Sequence, residues 1–105
     1  MISKGDLVQD WMGRAGIALG HCDPPQNEDC DPFMDRVRLH HENSQNWWSI
    51  YLFSGAVAKS PEPAMDSWGP ATKAVLLWAI NRAERSVQLL LANLLDPEEQ
   101  GEYYN

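Results

Sequence analysis

Apolar side chains occupy every position of residues 47–53 except Ser49, and this pattern predicts a β-strand. The segment is rich in aromatic and β-branched residues, which favour strands. Because the side chains of a strand point alternately to its two faces, Trp48, Ile50 and Leu52 would share one face. The other face would carry Trp47, Ser49, Tyr51 and Phe53.

Two further strands are predicted beside this one. Residues 36–41 alternate, with Val37, Leu39 and His41 on one side, and the polar residues 42–46 that follow are typical of a turn. These two strands would form a β-hairpin. Residues 56–59 would add a shorter third strand, which the prolines in residues 60–63 would end.

The longest predicted element is a C-terminal helix over residues 70–95. Pro70 suits the first helical position, and the proline that follows Asp96 would stop the helix. About 25 residues would give a rod of roughly 37 Å. Its apolar positions recur at helical spacing: Leu76, Ala79, Ile80, Ala83, Val87, Leu90, Leu91 and Leu94.

A short N-terminal helix is predicted over residues 4–15. Ser3 and Asp6 resemble a capping box, Gly16 would cap the other end, and the apolar positions between them have helical spacing: Leu7, Val8, Trp11, Met12 and Ala15. The expected fold class is therefore α+β, with a small two- or three-stranded antiparallel sheet packed against a long C-terminal helix and a short N-terminal helix. A chain of 105 residues suits a single domain, which we assign to residues 1–95, followed by a tail over residues 96–105.

The formal charge of −7 narrows the range of partners. Binding to nucleic acid or to an anionic membrane surface depends on Lys and Arg, so neither is expected as a direct ligand. The N-terminus lacks the pattern of a secretory signal, and the longest apolar run, residues 74–80, is too short to cross a bilayer. We therefore expect a soluble cytoplasmic protein.

The acidic residues are concentrated in two regions. Residues 1–31 hold two bases and six acids, a net −4, and the tail holds four acids and no base, another −4. Residues 32–95 come to +1. Because the fold does not need these acids, we expect a partner to use them. The predicted partner-binding residues are Asp23, Glu28, Asp29 and Asp31 first and Glu98, Glu99 and Glu102 second, with Trp47 and Trp68 as exposed aromatic contacts, whereas Trp11, Trp48 and Trp78 are predicted to be core.

Chemistry at a metal or catalytic centre has little support. The only group of potential metal ligands is His21, Cys22, Cys30, His40 and His41, and its spacing matches no standard zinc site. Free thiols are favoured over a disulfide in a reducing compartment. An acid-rich loop would raise the pKa of either cysteine, and the glycines fit no phosphate-binding loop. We therefore predict no cofactor and no enzymatic activity.

Three short segments together resemble small phage-encoded domains of the ABA-sandwich type. They are Asp31-Pro32-Phe33, the pair Trp47-Trp48, and Trp68-Gly69-Pro70-Ala71 ahead of the alanine-rich residues 74–79. The resemblance covers residues 31–83 and implies a helix, an antiparallel sheet and a closing helix that begins at a proline-containing cap. It carries no catalytic residue and implies a phage or prophage accessory protein that acts by binding.

The sequence thus favours a non-enzymatic protein-binding module. It would be a phage-encoded inhibitor of the anti-defence type that presents its acids to a basic surface of a host protein, such as a member of a nucleic-acid-binding complex. One alternative is a structural homodimer formed through the Leu-rich helix, with Val87, Leu90, Leu91 and Leu94 in the interface. The other is a small module stabilised by zinc.

Overall fold

The computed structural model of the chain describes residues 1–25 and 46–95. Within these residues, five strands form one antiparallel sheet in the order β4-β3-β2-β1-β5. Successive strands from β1 to β4 are neighbours, and β5 returns to pair with β1. The strands are β1 (Asp6–Gln9), β2 (Ala15–Cys22), β3 (Trp47–Leu52), β4 (Val57–Pro61) and β5 (Asp66–Pro70).

Two short helices follow the sheet. Helix α1 spans Lys73–Arg82 and helix α2 spans Arg85–Ala92, and a 3₁₀ turn, Glu62–Ala64, joins β4 to β5. The predicted fold, a two- or three-stranded sheet packed against a long C-terminal helix and a short N-terminal helix, was therefore wrong. The described chain has a five-stranded sheet in place of two or three strands, and two short helices in place of one long one.

The predicted N-terminal helix is absent from the described residues, because residues 4–15 form β1 and the turn into β2. The contact between Ser3 and Asp6 exists, but it closes a turn: Oδ2 of Asp6 accepts a 3.0 Å hydrogen bond from the backbone N of Ser3. The same oxygen accepts a 2.9 Å hydrogen bond from Oγ of Ser67. Asp6 therefore ties the start of β1 to β5 and does not cap a helix.

Strand β3 confirms the strand predicted at residues 47–53, but its neighbours differ from the prediction. It pairs with β2 on one side, from Cys22 opposite Trp47 to Gly16 opposite Leu52, and with β4 on the other. Both sides are thus occupied, and the predicted hairpin partner, residues 36–41, lies outside the described residues. The third predicted strand, residues 56–59, is confirmed as β4 and continues through Pro61.

The predicted long helix breaks after Arg82. Ala83 and Glu84 both have extended backbone, with ψ near 155°, and α2 begins afresh at Arg85. The break is stabilised by Gln88, whose Nε2 donates a 2.8 Å hydrogen bond to the carbonyl oxygen of Ile80 at the end of α1. One of the otherwise unpaired last carbonyls of α1 is satisfied in this way.

Apolar side chains are buried on both faces of the sheet. On one face the helices pack on the strands, and the cluster consists of Ile17, Leu19, Tyr51, Leu76, Ala79, Ile80, Leu91, Ala92 and Leu95. On the other face the cluster consists of Ile2, Val8, Ala18, Trp48, Ile50, Leu52 and Met65. The shared face predicted for Trp48, Ile50 and Leu52 is confirmed.

Candidate binding groove

An open apolar groove of about 490 Å³ lies between the end of β3 and helix α1. Its lining is almost entirely carbon and comes from Phe53, Ala74, Val75 and Trp78. The three helical residues have the spacing i, i+1 and i+4, which places them on one face of α1. We refer to these four residues as the Phe53–Trp78 groove.

Backbone hydrogen bonds position both walls of the groove. Phe53 follows directly on β3, and its backbone N donates a 3.0 Å hydrogen bond to the carbonyl oxygen of Ala15. Helix α1 is held by Thr72, whose Oγ1 accepts a 3.3 Å hydrogen bond from the backbone N of Val75. Such a side-chain cap fixes where the helix begins. The groove is therefore built on the sheet and on a capped helix.

The rings of the groove are arranged with Trp78 at the centre. Phe53 meets Trp78 edge to face, with ring centroids 5.7 Å apart and an interplanar angle of 71°. The guanidinium carbon of Arg82 lies 4.5 Å from the Trp78 ring centroid, which is a cation–π contact. Trp78 nevertheless remains 41% exposed. An indole fixed on two sides is thus open to solvent.

Trp78 was predicted to be core, and that prediction was wrong. The residues that hold α1 on the sheet are Leu76, Ala79 and Ile80. At 100° per residue, Trp78 lies about 100° from Ala79 and about 160° from Leu76 and Ile80, on the outer side of the helix. This angular offset was the signal in the sequence that could have identified it as a surface residue.

The predicted aromatic contacts are divided between surface and core. Trp68 is 58% exposed on β5, as predicted. Trp47 was predicted to be exposed, and that prediction was wrong, because the side chain is only 2% exposed. Trp48 is buried as predicted, and Trp11 is half-buried.

The predicted acidic surface lies mostly beyond the described part of the chain. Asp23 is exposed just after β2. The other predicted acids, Glu28, Asp29, Asp31, Glu98, Glu99 and Glu102, lie outside the described residues. The structure therefore leaves this surface a prediction. The expectation that the fold does not need the acids of residues 1–31 was wrong for Asp6 and Asp10, which are buried and accept hydrogen bonds within the fold.

The predicted dimer stripe is only partly on the surface. Leu90 is 48% exposed, and Val87 and Leu94 are half-buried. Leu91 has no exposed surface and belongs to the helix-side cluster, so its predicted place in an interface was wrong. The exposed apolar part of α2 is formed by Leu90 and its neighbour Leu89.

The proposed metal ligands cannot be assembled from the described residues, among which no group of three or more His, Cys, Asp or Glu could hold a metal ion. Cys30, His40 and His41 lie outside them. Cys22 is a half-buried free thiol whose pKa is raised, first by burial and then by the charge of Asp23, while Lys59 opposes the rise. His21 lies against Trp48, with ring centroids 4.2 Å apart.

Glu62 joins three separate parts of the chain. Its Oε1 accepts a 3.2 Å hydrogen bond from the backbone N of Ile2, and its Oε2 accepts a 3.0 Å hydrogen bond from Nδ2 of Asn46. These donors stabilise the carboxylate and lower the pKa of Glu62, the Ile2 contribution being the largest. Glu62 therefore has a structural role at the 3₁₀ turn.

Comparisons of the chain with protein-family models, with curated proteins and with solved structures found no match. In residues 1–25 and 46–95, moreover, none of the helices is long and apolar enough to span a membrane.

Proposed function

We propose that this chain is a non-enzymatic protein-binding module whose main contact surface is the Phe53–Trp78 groove. The observation that carries the proposal is the exposure of Trp78, which is held in place by Phe53 and Arg82 but left open to solvent. Trp and Arg are the residue types most enriched where protein interfaces derive their binding energy. Their side chains are already oriented here, so little conformational entropy would be lost on binding.

The shape and chemistry of the groove favour a segment of a protein as the ligand. It has the volume of a typical ligand site, but it is open along the surface and almost without polar groups to orient a small molecule. An aromatic or aliphatic side chain of a partner would be stabilised by removal from water against Trp78 and Phe53. The groove therefore suits the side chains of a peptide segment.

Arg82 adds a charge preference to this surface. Its guanidinium lies at the edge of the groove, where the residue is exposed, and a guanidinium can donate two parallel hydrogen bonds to one carboxylate. We therefore propose that the partner segment carries an apolar side chain for the groove and an Asp or Glu beside it for Arg82.

The test is capture of partners from cell extract on the immobilised chain, with Trp78→Ser compared against Trp68→Ser. Both variants remove an exposed tryptophan, but only the first lies in the groove. We expect a specific partner to be lost with Trp78→Ser and kept with Trp68→Ser, and its affinity to fall at least tenfold, or about 1.4 kcal/mol. A partner that binds both variants as well as it binds the natural chain contradicts the proposal.

A second candidate function rests on the clustered acids. Residues 23–31 hold four acids and no base, residues 96–105 hold four more acids and no base, and Asp23 is exposed. We propose on this basis, and on the resemblance to phage-encoded domains, an inhibitor that presents these acids to a basic surface of a host protein. Neutralising Asp23, Glu28, Asp29 and Asp31 together should then abolish capture with little change in Tm. Retained capture would contradict this candidate and leave the groove unaffected.

A further inference from the structure

We infer that the acidic C-terminal tail, residues 96–105, is a ligand of the Phe53–Trp78 groove in the same molecule and competes there with the partner. The inference deepens the proposed function by naming a regulator of the same site. It rests on the proposed function for the biological purpose of the competition, but its physical test needs no partner.

The composition of the tail matches the ligand that the groove requires. Tyr103 and Tyr104 supply adjacent aromatic side chains, and Asp96, Glu98, Glu99 and Glu102 supply a net −4 with no base. A tyrosine packs well on the indole and phenyl rings of the groove. The neighbouring Glu102 is then one residue from the aromatic pair, close enough to present its carboxylate to Arg82.

Charge favours docking on this part of the molecule. In residues 73–95, which contain α1 and α2, the charged residues are Lys73, Arg82, Arg85 and Glu84, a net +2. The tail of −4 would thus meet a positive surface in a chain whose overall charge is −7. The opposite charges of the tail and of the helices would attract each other at physiological ionic strength, and the attraction would weaken as salt is added.

The tail also begins at a position from which it can reach the groove. Leu95, the residue before it, is buried in the helix-side cluster, and Phe53 and Val75 of the groove pack against that same cluster. Ten residues can span about 33 Å when extended. Helix α1, along which the groove lies, is about 15 Å long. The tail can therefore reach the groove without any change in the described fold.

Tethering compensates for a weak intrinsic affinity. A short covalent connection gives an effective concentration of about 1 mM, so a tail with an intrinsic Kd of about 0.1 mM would occupy the groove about ten times as often as it leaves it empty. A partner that needs the empty groove would then bind about tenfold more weakly than to a chain with an inactive tail.

The experiment that tests the inference measures the Trp78 indole N–H resonance by NMR in the purified full chain. The resonance is assigned by its loss in Trp78→Phe. Tyr103→Ser with Tyr104→Ser should shift this resonance and leave that of Trp68 unchanged. The double variant Tyr103→Phe with Tyr104→Phe keeps both rings, so its spectrum should be the same as that of the natural chain. The methyl resonances of Ile17 and Leu91 verify that each variant is folded.

Two results would overturn the inference. One is a Trp78 resonance that is identical in the natural chain and the double serine variant. The other is a shift that disappears on dilution of the natural chain, which would mean that the tail binds a second copy. Neither NMR result bears on the capture of a partner. Conversely, a partner that is captured equally well by the Trp78→Ser variant would contradict the proposed function without affecting the NMR result, so the two proposals fail separately.

Discussion

Nε of Arg14 donates a 2.7 Å hydrogen bond to Oδ2 of Asp10 across the turn between β1 and β2. The carboxylate of Asp10 is buried, and its Oδ1 also accepts hydrogen bonds from the backbone N atoms of Met12 and Arg14, at 3.0 and 2.8 Å. One acidic side chain thus satisfies three donors of the turn.

We therefore expect Asp10→Ala to lower the free energy of unfolding by about 2–4 kcal/mol, because it leaves the donors of the turn without their acceptor. Arg14→Ala should cost about 1 kcal/mol or less, since its side chain is 39% exposed and the two backbone hydrogen bonds remain. Urea denaturation of both variants measures the difference. Equal losses would contradict the assignment of the backbone hydrogen bonds as the larger contribution.

The lowered pKa of Glu62 predicts a specific dependence of stability on pH. A carboxyl group whose pKa is lower in the folded chain than its ordinary value of 4.5 stabilises the fold above that value. This stabilisation is lost as the pH falls through the lower, folded value. Glu62→Gln keeps an oxygen acceptor but removes the charge.

We expect the natural chain to be more stable than Glu62→Gln at neutral pH and the difference to shrink as the pH falls below 4.5. The measurement is Tm against pH for both chains, and the difference between the curves removes the contribution of the other carboxyl groups. A difference that is constant through the acid range would contradict the role of the Glu62 charge.

Strand β3 could be predicted because its own residues determine it. Because successive side chains of a strand point to opposite faces, the prediction correctly placed Trp48, Ile50 and Leu52 on one face. The burial of Trp47 could not be predicted in the same way, because the alternation assigns a side chain to a face of the strand but does not show whether that face is covered. Strand β5 escaped prediction because Asp66, Ser67 and Trp68 are all exposed at the sheet edge and show no apolar alternation.

In the predicted helical segments, local sequence signals indicated helices that differ from those of the structure. Asp6 and Ser3 form the contact expected of a helix start, but a turn uses the same hydrogen bond. The break at Ala83 and Glu84 carries neither proline nor glycine, and its stability depends on the Gln88 side chain reaching the carbonyl of Ile80. The groove was missed for a related reason, since Phe53 and Trp78 come together only once the helix lies on the sheet.

Gly16 predicts a steric limit at the centre of the sheet. A Cβ atom added there would lie 2.2 Å from the backbone oxygen of Tyr51 and 2.9 Å from Cγ2 of Ile50. Gly16→Ala must therefore displace β3, and we expect a loss of about 3 kcal/mol or more. Thermal or urea denaturation measures it.

Gly55→Ala is the matched control for Gly16→Ala. A Cβ atom at Gly55 would meet nothing within 4 Å, but the residue has φ of +108°, which alanine adopts only with strain. The expected cost is about 1–2 kcal/mol, smaller than at Gly16. A larger loss at Gly55 than at Gly16 would contradict the steric argument.

The raised pKa of Cys22 predicts slow reaction with thiol reagents, because the thiolate is the reactive form. In a Cys30→Ser background, the alkylation rate of the folded chain should reach half its maximum at a higher pH than that of the chain unfolded in urea. Lys59→Gln should raise this midpoint further, and Asp23→Asn should lower it. Shifts of the same sign in the two variants would contradict the electrostatic assignment.

Different residues of α1 hold the helix on the sheet and line the groove, and this separation has a consequence for how such a protein can change over time. Leu76, Ala79 and Ile80 anchor the helix, whereas Ala74 and Trp78 face the groove. Substitutions at the outward positions leave the anchor intact and should alter recognition at little expense in folding free energy. One scaffold could therefore acquire new specificities by exchanging a few outward side chains, without passing through unstable intermediates.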